Sequence, residues 1–164
     1  SLTGQNENAE EDLAQFADRI CARLGDSAIV QPRLVASHLP ERAVSFTPFR
    51  ARSAAVRKVR SEPFPLIDRP IRLLARPEPV EVAAAEIPEG APASFRWRRV
   101  FYRVARAEGP ERIAPEWWLD KPDAPMRDYF RIEDEEGRRY WLFRQGLYGA
   151  TPELPRWYMH GLFA

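Results

Sequence analysis

RDYFRIEDEEGRRYWLFR, Arg127–Arg144, reads as two short strands around a turn. Tyr129–Glu133 and Arg139–Phe143 are rich in the residues that suit a pleated, half-buried surface. Between them Asp134-Glu135-Glu136-Gly137-Arg138 forms a loop with its glycine placed for a positive φ. A second hairpin is expected upstream, where the apolar period becomes two from Ser94. Phe95 and Trp97 share one face against Arg96 and Arg98, and Val100, Tyr102 and Val104 then alternate with Phe101, Arg103 and Ala105. Residues 94–106 are therefore a tight hairpin or one long bulged strand. Arg156–Phe163 is apolar enough for a last strand. The core expected from these registers is Phe95, Trp97, Tyr102, Val104, Phe130, Ile132, Trp141 and Phe143.

All five Trp and all five Tyr lie after residue 94, so the aromatic core belongs to the C-terminal half. Before it, residues 8–25 have helical spacing in Leu13, Phe16, Ala17, Ile20 and Leu24. Asn8 with Glu11 has the form of a capping box, and Gly25 suits a left-handed C-cap. Cys21, beside the apolar face, is expected to be a small buried hydrophobe. Ile29-Val30 is a short strand candidate. The chain is then expected to be irregular through Pro32, Pro40 and Pro48. Residues 49–69 read as a basic, Pro-containing linker, since prolines exclude helix and central strand. Ile71–Ala85 provides an entry strand or two, and Glu86–Pro92 a loop. The expected class is α+β: an N-terminal helix and short strand (1–48), the Pro/Arg-rich linker (49–69), and a small antiparallel β-rich C-terminal domain (70–164).

The formal net charge of 164 residues is +1, which excludes a global electrostatic footprint for nucleic acid. Residues 50–61 are the one charge block, with five basic and no acidic side chains. One cysteine cannot form an internal disulfide, which fits a reducing cytoplasm. No apolar run is long enough to span a bilayer. The chain begins Ser1-Leu2 without Met and reads as a piece of something longer.

Catalytic chemistry finds no foothold. His38, His160 and Cys21 are too few and too scattered for zinc, no serine sits in a nucleophile elbow, and no glycine-rich phosphate loop is present. Asp134-Glu135-Glu136 is read as a solvated turn rather than a cation site. No enzyme, metal or cofactor is expected. Binding is better served. Arg96, Arg98, Arg99 and Arg103 alternate with aromatic residues, a mixture that stacks bases and holds phosphates. It equally describes a half-buried sheet whose polar face pairs with Glu108, Glu111 or Glu116. Trp117-Trp118 after Pro115 cannot both be buried by strand alternation, so one ring anchors a loop or meets a partner. Trp157, Leu162 and Phe163 close the chain on apolar side chains. They pack as a last strand or complete a partner's surface.

Several phrases are recognisable: HLPERA (His38–Ala43), RPIRLL (Arg69–Leu74), RVARAEGPERIAPEWW (Arg103–Trp118), RDYFRIEDEEGRRYWLFR and PRWYMHGLFA (Pro155–Ala164). Together they resemble the C-terminal region of the ImuB family, over roughly residues 10–164. That family is similar to Y-family translesion polymerases and is regarded as lacking catalytic competence. The resemblance implies that residues 1–48 follow a little-finger-type domain. It also implies a damage-induced mutagenesis role, as a hub for the sliding clamp, a RecA-like accessory protein of the ImuA type and an error-prone C-family polymerase. Glu62–Ile67 is similar to clamp-binding peptides through Phe64, Leu66 and Ile67, although both of its ends depart from that pattern; as a linker it docks on its own domain. The chain also departs at Arg99, where a glycine is expected.

Overall fold

The quoted hairpin forms as read, and a closed antiparallel barrel is built around it. The computed structural model describes residues 2–49, 69–83, 90–146 and 154–163. It divides into two units, Ser1–Pro65 and Leu66–Ala164. Its regular structure is mostly strand, with one helix among the described residues. Most of the 49–69 linker, including Phe64, Leu66 and Ile67, lies outside the described residues.

In the first unit, helix α1 spans Leu2–Leu24. It starts six residues before the expected Asn8 cap, because extending a helix adds a hydrogen bond per residue while a new start must be nucleated. Gly25 ends it at φ +93, its N–H bonding the Cys21 carbonyl at 2.8 Å. Cys21 is half-buried rather than buried. The stretch expected to be irregular is a second hairpin: β1 (Val30–Leu34) pairs with β2 (Val44–Pro48) from Val30↔Pro48 to Leu34↔Val44. Pro32 and Pro48 are tolerated because each strand of a two-stranded ribbon has a free edge. The HLPERA phrase supplies the connection, where the Leu39 carbonyl accepts the N–H groups of Arg42 and Ala43, both at 3.0 Å.

In the second unit, six strands close in sequence order: β3 (Arg72–Val82), β4 (Ser94–Trp97), β5 (Val100–Ile113), β6 (Arg127–Asp134), β7 (Arg139–Gln145) and β8 (Arg156–Leu162), with β8 returning to β3. Closure removes the free edges at which sheets aggregate. The register between β3 and β8 shifts between Leu73 and Glu78, in the stretch that carries Pro77. Gly161 is required on β8, since a Cβ there would run into the Pro70 ring and the Arg72 carbonyl.

The interior holds Val80, Phe95, Trp97, Phe130, Ile132, Tyr140, Leu142, Trp157 and Met159, with Tyr102 and Val104 packed against them. Trp141 and Phe143, expected in this core, point the other way. The register pairs Phe130 with Leu142 and Ile132 with Tyr140, so Tyr140 and Leu142 are the inward residues of β7. Trp141 and Phe143 are nonetheless buried, in a second aromatic layer on the outer face. Tyr129 stacks on Trp141 at 4.1 Å between ring centroids, Phe143 stacks on Tyr158 at 5.2 Å, and the Tyr129 hydroxyl meets His160 Nδ1 at 2.8 Å. The Arg69 guanidinium covers Trp141, and that of Arg127 covers Phe143.

Two buried aspartates complete the barrel. Asp134 is not the solvated turn residue expected: it accepts hydrogen bonds from the backbone N–H groups of Glu136 and Arg138, from Arg138 Nε and from the Tyr140 hydroxyl. Burial would raise its carboxyl, but these donors hold it below the usual carboxylate range. Asp128 is buried with Arg144, whose Nη2 donates at 2.6 Å, while Arg112 binds it in a fork at 2.7 and 3.0 Å. Here too burial opposes ionisation, and the two guanidiniums overcome it.

Candidate functional site

Between β5 and β6 the chain makes a tight turn that lifts two indoles into water. The Glu116 N–H donates to Asp120 Oδ2 at 2.7 Å, and the Glu116 carbonyl accepts the N–H groups of Asp120 at 2.7 Å and Leu119 at 2.8 Å. Glu116 itself is fully buried. Local side-chain and backbone bonds of this kind fix a loop without a hydrophobic centre of its own. On this base Trp117 is 84% exposed, Trp118 53% and Leu119 67%, with Met126 exposed further along the same connection. The two indoles meet edge to face, with centroids 5.6 Å apart at 88°. The turn is held through Glu116 and Asp120, and Trp117 is the more exposed of its two rings. Exposed clustered apolar side chains mark interaction sites, and Trp is the residue most enriched among those that carry binding energy.

The arginine–aromatic alternation lies at the opposite end of β5. Arg98 and Arg99 form the two-residue turn between β4 and β5, both with positive φ, at 48° and 70°. Asn or Gly is preferred there because a side chain at left-handed φ costs about 1–2 kcal/mol. The absent glycine at Arg99 therefore leaves the hairpin intact but strained. Arg98 is committed to Glu78, through Nε at 2.9 Å and Nη2 at 2.6 Å, and lies over Trp97. The Glu78 carboxyl is held below its usual range by Arg98, against burial, with help from the Trp97 indole N–H. Arg96 reaches Glu81 at 3.6 Å. Of the acidic partners expected for this face, Glu108 pairs with Arg106 and Arg131, whereas Glu111 turns to Arg69.

The terminal residues separate. Trp157 is in the barrel core with 5% exposure, whereas Leu162 and Phe163 are half-buried, and Arg131 and Arg139 lie over the Phe163 ring. The sequence brings Trp117 with Trp118 into one cluster and Arg96 with Arg99 and Arg103 onto one hairpin, but Trp157 joins neither. Leu119 and Met126 were not singled out from the sequence. Their proximity to Trp117-Trp118 along one loop was the available signal. No group of three or more His, Cys, Asp or Glu side chains that could hold a metal occurs among the described residues. No helix among them is long and apolar enough to cross a membrane.

Over 162 residues, 95% of its length, the chain is 43% identical to Protein ImuB of Caulobacter vibrioides, in strains NA1000 / CB15N and ATCC 19089 / CIP 103742 / CB 15 alike. The chain resembles ImuB. It spans about a third (34%) of the length of these ImuB relatives, an extent consistent with a C-terminal region of ImuB. No family model matches it, and no solved structure does. Both the barrel and the exposed tryptophan turn fall in the unit Leu66–Ala164, which holds the longest ImuB-like phrases.

Proposed function

We propose that the chain is a non-catalytic protein-interaction module of a translesion synthesis complex, acting in the cytoplasm without a cofactor of its own. It docks a RecA-like accessory protein of the ImuA type, an error-prone C-family polymerase, or both. The observation that carries this reading is the pair of indoles held in water at Trp117 and Trp118 by a hydrogen-bonded turn. A ring of that size left exposed forgoes the gain of burial, and the Glu116–Asp120 lock already fixes the turn without it. Resemblance to ImuB supplies the complex and the class of partner. Leu119 and Met126 extend the apolar contact, and Leu162 with Phe163 forms a smaller candidate patch near the end of β8. Trp157 is assigned to the core. A contact of Phe64, Leu66 and Ile67 with the sliding clamp remains part of the proposal.

Co-purification tests it. The chain is expected to retain the accessory protein or the polymerase from a mixture of purified components, and Trp117→Ala/Trp118→Ala to lose that partner while keeping its fold. Retention of both proteins by the double variant would assign docking to another surface.

A further inference from the structure

The outer face of the β4–β5 hairpin has a use that protein docking leaves unfilled. Arg96 stands directly opposite Phe101 in the register, and Arg103 follows Phe101 by two residues, hence on the same face. Phe101 is 59% exposed, while Phe95, Trp97 and Tyr102 on the other face fill the barrel, so the fold does not need its ring. Arg98 is occupied by Glu78 and Arg96 is drawn toward Glu81. Arg99 and Arg103 have no acidic partner among the described residues. One is held out by the strained turn and the other by the strand, on either side of Phe101. Glu81 pairs with Arg96 at one edge of the strip, and at the other the Glu135 N–H of the β6–β7 turn reaches the Arg103 carbonyl at 3.3 Å.

We propose that this face binds single-stranded nucleic acid: a base stacks on Phe101, and Arg99 and Arg103, aided by Arg96, hold the flanking phosphates. The exposed ring decides the class of ligand. An acidic peptide would use the guanidiniums but has nothing flat to lay on the phenyl face, and a duplex keeps its bases stacked away from it. A ring between cations is the arrangement by which sheets bind single strands with little sequence preference.

The test is fluorescence anisotropy of the full chain with a fluorescein-labelled oligothymidylate, over a series of sodium chloride concentrations. Affinity should fall with salt, and the log–log slope should become shallower by about 0.7 for each of Arg99→Ala and Arg103→Ala. Phe101→Ala should weaken binding by about fivefold or more with the slope unchanged. Its exposure predicts an unaltered melting curve, and Phe101→Tyr should restore affinity. Absence of oligothymidylate binding would overturn the proposal, as would indifference to Phe101, equal affinity for a duplex, or preferential binding of polyglutamate.

Discussion

Arg99 sits at φ 70° where a glycine would sit without strain, and the barrel forms regardless. The strain is local and removable. Arg99→Gly is expected to raise the melting temperature by a few degrees, since relief of about 1 kcal/mol corresponds to roughly 4–8 °C in a domain of this size; a scanning calorimetry trace with an unchanged or lowered midpoint would show that the turn is not strained. The buried pair of Asp128 and Arg144 behaves oppositely. Asp128→Asn removes the buried carboxylate that Arg144 and Arg112 both bind and is expected to destabilise by about 3–5 kcal/mol in urea unfolding. Asp128 also sets a pH dependence. Its folded carboxyl titrates below the unfolded one, so its contribution is complete above the ordinary aspartate value of about 3.9 and is lost as pH falls through the folded value. Asp134 has the same sign. Melting temperature should therefore decline steeply below about pH 4, and less steeply in Asp128→Asn; equal slopes in the two proteins would remove Asp128 from the acid transition.

At the level of elements, what could be read from the sequence follows from how each strand is exposed. β4 and the first part of β5 have one wet and one dry face, so their alternation gave both the strands and their inward residues. The β6–β7 turn was readable from Gly137, which has the positive φ expected of it. β7 was readable as a strand but not in register. Tyr140, Trp141, Leu142 and Phe143 are all buried, because β7 faces the barrel core on one side and the outer aromatic layer on the other. A continuous apolar run does not say which side is which. The β1–β2 hairpin was hidden for a different reason, since its prolines argue against a central strand and not against a ribbon. The α1 start was masked by a capping box that lies within a longer helix. Register can be tested directly. Leu142→Ala should cost about 2–5 kcal/mol by opening a cavity inside the barrel, with the Tyr129–Trp141 stack outside retained in near-ultraviolet circular dichroism. Loss of that outer signal with little change in stability would reverse the register.

For the molecule as a whole, the sequence made Trp117 and Trp118 visible as an anomaly, and only the fold explains them. Strand alternation fails there because the residues are not in a strand, and the Glu116–Asp120 lock that displays them joins a backbone N–H to a side chain four residues on. The β-rich unit Leu66–Ala164 thus carries two surfaces at opposite ends of β5, one apolar and aromatic, one cationic with a single exposed ring. If the apolar surface docks a protein of the translesion complex, its tryptophans should bear most of the affinity while contributing little to folding. Isothermal titration of the chain with the partner it co-purifies with, the RecA-like accessory protein or the C-family polymerase, measures this most directly when Trp117→Ala is run beside the unaltered protein. The expected result is a Kd weakened by roughly 30-fold, the effect of losing a binding hot spot, at an unchanged melting temperature. An unchanged Kd, or a weakened one accompanied by a lower melting temperature, would contradict it.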